Sequence, residues 1–100
     1  MKVRILTSAI NDLAAGREFY DRQGEGMGDY FFDSVFADID SLALYGGIHL
    51  KVFGHHRRLA TRFPYAIYYR MGSGGEVIVH RALDCRQNPE KSRSALRKSS

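Results

Sequence analysis

Apolar and polar positions change their period once along this chain, at Gly46-Gly47. Ahead of that point the spacing is mostly helical. Val3 and Ile5 alternate with Lys2 and Arg4, which predicts a short first strand. Ser8 then stands where a helix N-cap belongs, ahead of Ile10, Leu13, Ala14 and Tyr20, so the strand leads into an amphipathic helix. The segment Gln23-Gly24-Glu25-Gly26-Met27-Gly28 breaks the pattern with three glycines. They lie between two helices, whereas a phosphate-binding loop belongs between a strand and a helix, so the segment reads as a connecting turn. Phe31, Phe32, Val35, Phe36, Ile39, Leu42 and Ala43 then recur at three- and four-residue spacing, with Asp29, Asp33, Asp38 and Asp40 on other faces. This predicts a second helix that ends at Gly46-Gly47.

After Gly47 the period becomes two. His49 to Phe53, Arg57 to Phe63, Tyr65 to Met71 and Glu76 to Leu83 are four strand candidates, separated by the short turns Gly54-His55 and Gly72-Ser73-Gly74-Gly75. Such turns predict antiparallel hairpins, with Pro64 limiting the ladder where it falls. From Gln87 onward there are Pro89, several serines and cations, with Leu96 almost the only apolar group. Residues 1–88 are therefore expected to form a single domain, and 89–100 a basic tail or a short helix. The fold class is α+β: an N-terminal strand, a helical hairpin, then antiparallel strands in a twisted sheet with the hairpin packed on one face.

Alternation sorts the strand residues by face. Arg58, Ala60 and Arg62 share one side of their strand, while Ala66, Tyr68 and Arg70 oppose Tyr65, Ile67, Tyr69 and Met71 on the next. The sheet face left bare by the helices is expected to carry Arg58, Arg62, Tyr68 and Arg70. Arg81 or His80 would join them, according to the register of the last strand.

Length and composition narrow the classes. One hundred residues allow one hydrophobic core, and no apolar run approaches the roughly 20 residues of a membrane-spanning helix. Arg4 interrupts the apolar stretch an export signal needs, so a cytoplasmic location is expected. Cys85 is the only cysteine, which excludes an internal disulfide and a zinc site of paired cysteines. Residues 1–50 carry 4 Lys/Arg against 8 Asp/Glu, and residues 51–100 carry 11 against 3. An anionic partner for the second half, or simply a solvated basic face, fits that polarity.

Arg57, Arg58 and Arg62 have the forked donors that suit phosphate or carboxylate. His80, beside Arg81, is the acid–base candidate because an imidazole exchanges protons near neutrality. His55 and His56 point to opposite faces of a strand, so no metal site is expected, and nothing in the chain calls for a cofactor. Cys85 beside Arg86 has no placed partner and reads as structural. Tyr65 and Tyr69 are expected to pack against the helices, with Tyr68 among the arginines.

The element order, the segment Phe63-Pro64-Tyr65-Ala66-Ile67-Tyr68-Tyr69, and Val77-Ile78-Val79 leading to Arg86-Gln87-Asn88-Pro89 together resemble the RelE/ParE toxin superfamily over nearly the whole chain. The resemblance implies the toxin of a type II toxin–antitoxin pair, associated with growth arrest and plasmid stabilization. It would be silenced in a hetero-oligomer by a cognate antitoxin whose C-terminal segment wraps it. RelE-like members cut messenger RNA in the ribosome with several cations and a C-terminal Tyr, whereas ParE-like members are associated with poisoning DNA gyrase. Here Ala66 stands where a nuclease Arg is usual, and Ser92 near the Tyr position. Arg86 is the part that matches. The resemblance therefore favours the ParE-like branch, although Asp84-Cys85 replaces a common His-Gly and no aromatic residue follows Pro89. Residues that would contact a target or antitoxin are Arg57, Arg58, Arg62, Tyr68, Arg70, Arg81 and Arg86. A nuclease would instead use Arg86, Arg62, Arg81 and His80, and a degenerate member would bind only its antitoxin.

Overall fold

The computed structural model describes residues 1–99, so the last residue of the basic tail, Ser100, lies outside the described residues. The elements are β1 (Val3–Ile5), α1 (Thr7–Gln23), α2 (Met27–Tyr45), β2 (Lys51–Val52), β3 (His55–Leu59), β4 (Tyr65–Met71), β5 (Val77–Asp84) and α3 (Pro89–Arg97). They build one five-stranded sheet in the order β1-β5-β4-β3-β2. The last four strands pair antiparallel as their short turns require, while β1 returns to the edge of β5 and pairs parallel with it. The sheet is therefore mixed.

The α1–α2 hairpin covers one face. Leu13, Phe31, Val35, Ile39 and Leu42 meet Ile67, Tyr69, Val77 and Val79 in the main core. Close approach is enforced at Gly16, where a Cβ would stand 2.5 Å from the Phe31 ring. The buried stripe of α1 is Ala9, Leu13 and Gly16. Ile10 and Ala14, expected on the core face, are exposed, and the buried stripe runs instead through Gly16, against which the Phe31 ring packs. Ser8 is not the N-cap either: the helix starts at Thr7 after an extended Leu6. The Ser8 hydroxyl instead donates to the His80 carbonyl at 2.6 Å, closing the edge of β5 beyond the end of β1.

Two strands differ from the expected bounds. The strand expected over His49 to Phe53 shortens to Lys51–Val52, since Gly47 N donates to the Tyr69 hydroxyl and His49 Nδ1 lies 2.5 Å from it. The strand expected from Arg57 to Phe63 begins at His55 and ends at Leu59. Beyond it, Thr61 donates from N and Oγ1 to the buried Asp38 carboxylate, at 2.8 Å each, which pulls the chain off the ladder toward α2. The β2–β3 turn is Phe53-Gly54, both at positive φ (+55° and +78°), as a two-residue hairpin demands.

The opposite face is not bare. Residues 89–97 form α3, with the Asn88 side chain accepting from Glu90 N at 2.9 Å and Pro89 at its start. Leu96 and Ala95 pack on Ala66, Tyr68, Leu83, Val52 and Phe53 as a second apolar cluster. Part of the expected open face, including Ala66 and Tyr68, lies under this helix.

Candidate functional site: the cation-bearing face beneath and beside α3

Cross-strand register decides which arginines share this face. Arg57 pairs with Tyr68 and Arg58 with Ile67. Directly opposed residues point the same way, so Arg57 lies with Tyr68 while Arg58 lies on the helix side. There its guanidinium is 3.4 Å from Asp38 and also donates to Leu59 O. Arg62 is exposed in the loop after β3 and belongs to neither face. The expected set Arg58, Arg62, Tyr68 and Arg70 is corrected to Arg57, Tyr68 and Arg70, because β3 ends before Ala60 and takes the other register.

The last strand contributes both His80 and Arg81. A bulge opposite Tyr68/Tyr69 inserts one residue, so Tyr68 faces Arg81 while Tyr69 faces Val79. Arg81 reaches over the strand edge to Asp12 of α1, donating from Nε and Nη2 at 2.7 Å each, and from Nη1 to Ala95 O of α3 at 2.8 Å. Asp12 also accepts from Ala82 N at 3.0 Å. The side-chain hydrogen bond to Asp12 raises the Arg81 pKa. Arg81 ties together the layers on both sides of the sheet.

Arg86 is exposed and grips Asp84, donating from Nε at 3.0 Å and from Nη2 at 2.7 Å. These bonds hold the Asp84 carboxyl below the usual carboxylate range and raise the Arg86 pKa. Arg57 borders a recess of about 190 Å³ with Val52, Phe53, Tyr68, Cys85, Gln87 and Ser92. Its Nε is buried and finds no acceptor among the described residues, and its Nη2 stands 3.9 Å from Cys85 Sγ. Ser92 is buried there and its Oγ accepts from Gln87 Nε2 at 2.9 Å. Ala66, 1% exposed, lies under α3.

His80 packs edge-on against His55, with ring centres 4.9 Å apart, and its Nδ1 is 2.8 Å from Ser99 Oγ. Burial, then the neighbouring His55, Arg70 and Arg4, push its pKa down to about 4. It is neutral at pH 7 and a weak base, poorly suited to carrying a proton to a leaving oxygen. His55 and His56 do point apart, His56 stacking on Tyr69 from the helix side. Among the described residues no three His, Cys, Asp or Glu side chains gather as a metal would need. No helix among them is long and apolar enough to cross a membrane.

Arg93 and Arg97, cations of the basic tail that suit a nonspecific anion binder, join this face, and so does Arg4, which no sequence pattern singled out. Arg4 pairs with Ile78 and Ile78 with Arg70, so one cross-strand row carries Arg4 and Arg70. The i,i+4 spacing of Arg93 and Arg97 was a visible signal, and the parallel return of β1 had none. On the other side of the molecule Ile10, Ala14 and Phe32 line an apolar recess of about 450 Å³ rimmed by Arg17, Glu18, Asp21 and Arg22.

No protein-family model matches the chain, and no curated protein matches it in sequence. Its fold is similar to that of a solved chain described as the chromosomal ParDE TA system from P. aeruginosa. The TM-score is 0.64 at 19% identity, over 82% of this chain and 92% of that one.

Proposed function

We propose that this chain is the toxin of a type II toxin–antitoxin pair, of the ParE-like kind, acting in the cytoplasm by binding a macromolecular target. The observation that carries the reading is the likeness of fold, over 82% of the chain, to a chain of a ParDE TA system. The Phe63 to Tyr69 segment and the Arg86-x-x-Pro89 step support the same branch.

Binding, and not RNA scission, is favoured by how the cations are used. Cleavage without a metal needs a base, an acid and free cations around the scissile phosphate. Arg81 is committed to Asp12 and Ala95, Arg86 to Asp84, and His80 is held neutral. Ala66 stands where a RelE-like nuclease would place an Arg, and Ser92 stands near its Tyr position. The antitoxin is read as an acidic, partly disordered segment. It would set apolar anchors in the Ile10/Phe32 recess and meet the basic face electrostatically, through Arg57 and Arg70.

DNA gyrase is the target the ParE-like reading names. Expressing the chain without an antitoxin is expected to arrest growth, induce the DNA-damage response and inhibit supercoiling by purified gyrase. Codon-linked messenger RNA cuts that vanish in Arg86→Ala would instead establish the nuclease. Unimpaired growth with tight copurification of an acidic partner would leave only antitoxin binding.

A further inference from the structure

We propose that the recess between β4 and the last turn of α3, walled by Arg70, Arg93 and Arg97, is a phosphate-binding site. The inference does not depend on the toxin reading, and the recess shares only Phe53 with the Arg57–Ser92 recess.

The recess measures about 290 Å³ and is lined by Phe53, His55, Arg70, Arg93, Leu96 and Arg97, with no carboxylate among them. Arg70 also borders an adjoining recess of about 280 Å³ with Lys51 and His56, so cationic surface continues past it. Arg4 lies two strands from Arg70 in the same row. Arg93 has a distant ion pair, 3.5 Å to Glu90, and none is found for Arg4, Arg70 or Arg97 among the described residues. Arg97 alone would be explained by the negative end of the α3 dipole, and any single exposed arginine by solvation. Neither explains cations from β1, β4 and α3 converging on one histidine pair with no counter-charge among the described residues.

The two histidines lie within the field of these cations. Burial, then Arg70 among other neighbours, lowers both His55 and His80, opposed at His55 by its bond to Phe53 O. Ser99 gives its hydroxyl proton to Leu96 O, so His80 Nδ1 must be the donor to Ser99 Oγ. Phe53 O likewise requires a proton on His55 Nδ1. Both Nε2 atoms are left as acceptors, and at neutral pH the guanidinium groups alone supply the contact to an anion. Three guanidiniums around one small recess outnumber the two oxygens and single charge of a carboxylate. A phosphate group, with three or more acceptor oxygens and a charge near −1.5 to −2 when it is a monoester, matches them better. Phe53, held at positive φ with Arg93 5.2 Å above its ring, gives the recess one flat apolar wall.

The phosphate could be free or part of a polynucleotide backbone, and the test separates these. Inorganic phosphate, a ten-residue oligothymidylate and poly-glutamate are each titrated into the full chain. The His55 and His80 ring protons are followed by NMR from pH 7.5 to 4. A bound phosphate is expected to raise the His80 pKa from about 4 by about one unit, as a nearby opposite charge does. Arg70→Gln/Arg97→Gln, both at exposed positions, is expected to lose at least ~10-fold in phosphate affinity, while Lys2→Gln keeps it. Equal affinity for phosphate and oligonucleotide identifies a small phosphate ligand. Tighter oligonucleotide binding, whose salt slope falls by roughly 0.7 per arginine removed, identifies a backbone. Histidines unmoved by both phosphate ligands, a double variant that binds like the parent, or preference for poly-glutamate would each overturn the site.

Discussion

Replacing Asp12 with alanine removes the acceptor on which two layers of the molecule converge. Its carboxylate accepts from Arg81 Nε and Nη2 and from Ala82 N, and the Asp12 and Arg81 side chains are 12% and 18% exposed. Without it, one guanidinium loses its charge partner, and the backbone N–H of Ala82 loses its acceptor where α1 covers the strand edge. Removing one member of a buried ion pair costs about 3–5 kcal/mol, and stranding a buried N–H about 1–3 kcal/mol. The costs overlap, solvent reaches the margin, and Ala gains up to about 0.7 kcal/mol of helix propensity over Asp. The net expected loss is about 3 kcal/mol, equivalent to roughly 12–24 °C in Tm for a domain of this size. Urea unfolding of Asp12→Ala, Arg81→Met and the double variant measures it. Arg81→Met keeps the packing of the aliphatic chain but leaves the Asp12 carboxylate buried with only Ala82 N as donor, so it should cost about as much as Asp12→Ala. The cycle should return a coupling of about 2 kcal/mol. A loss below about 1 kcal/mol for Asp12→Ala, or a coupling below about 0.5 kcal/mol, would refute the clamp.

Acid sensitivity follows from His80, whose folded pKa of about 4 lies below the ordinary 6.5. The unfolded chain binds more protons between those values, so the stabilisation is complete above about pH 6.5 and is lost as pH falls toward 4. His49 and His55, also lowered, act in the same direction. The urea midpoint followed from pH 7.5 to 4 should fall in the parent and flatten in His80→Asn; an unchanged slope in the variant rejects the assignment. Leu96→Ala is expected to release α3 locally, raising amide exchange over residues 90–97 while α2 stays protected; parallel loss of protection in α2 would show that α3 belongs to the main core. Deleting residues 89–100 should likewise leave 1–88 folded by circular dichroism. Gly16→Ala places a methyl 2.5 Å from the Phe31 ring and should cost about 1–3 kcal/mol despite better helix propensity, whereas stabilisation in urea would disprove that contact.

What could be read along the chain was whatever depends on neighbours in sequence. The three- and four-residue spacing from Phe31 to Leu42, the glycines between the helices, the alternation of Tyr65, Ile67 and Tyr69, and the short hairpin turns are all local patterns, and the α+β layering follows from them. The site depended on relations that sequence leaves open. One residue of register places Arg57 and not Arg58 beside Tyr68, and the Asp38–Thr61 bonds end β3 before Arg62 can join either face. A bulge turns His80 and Arg81 to one side, and the parallel return of β1 sets Arg4 in line with Arg70. Nothing in the polar run after Pro89 beyond a single leucine announced that α3 would cover the expected open face. Periodicity reports which residues are buried; which partner each one meets is decided by the geometry of closing the sheet, and that exists only in three dimensions.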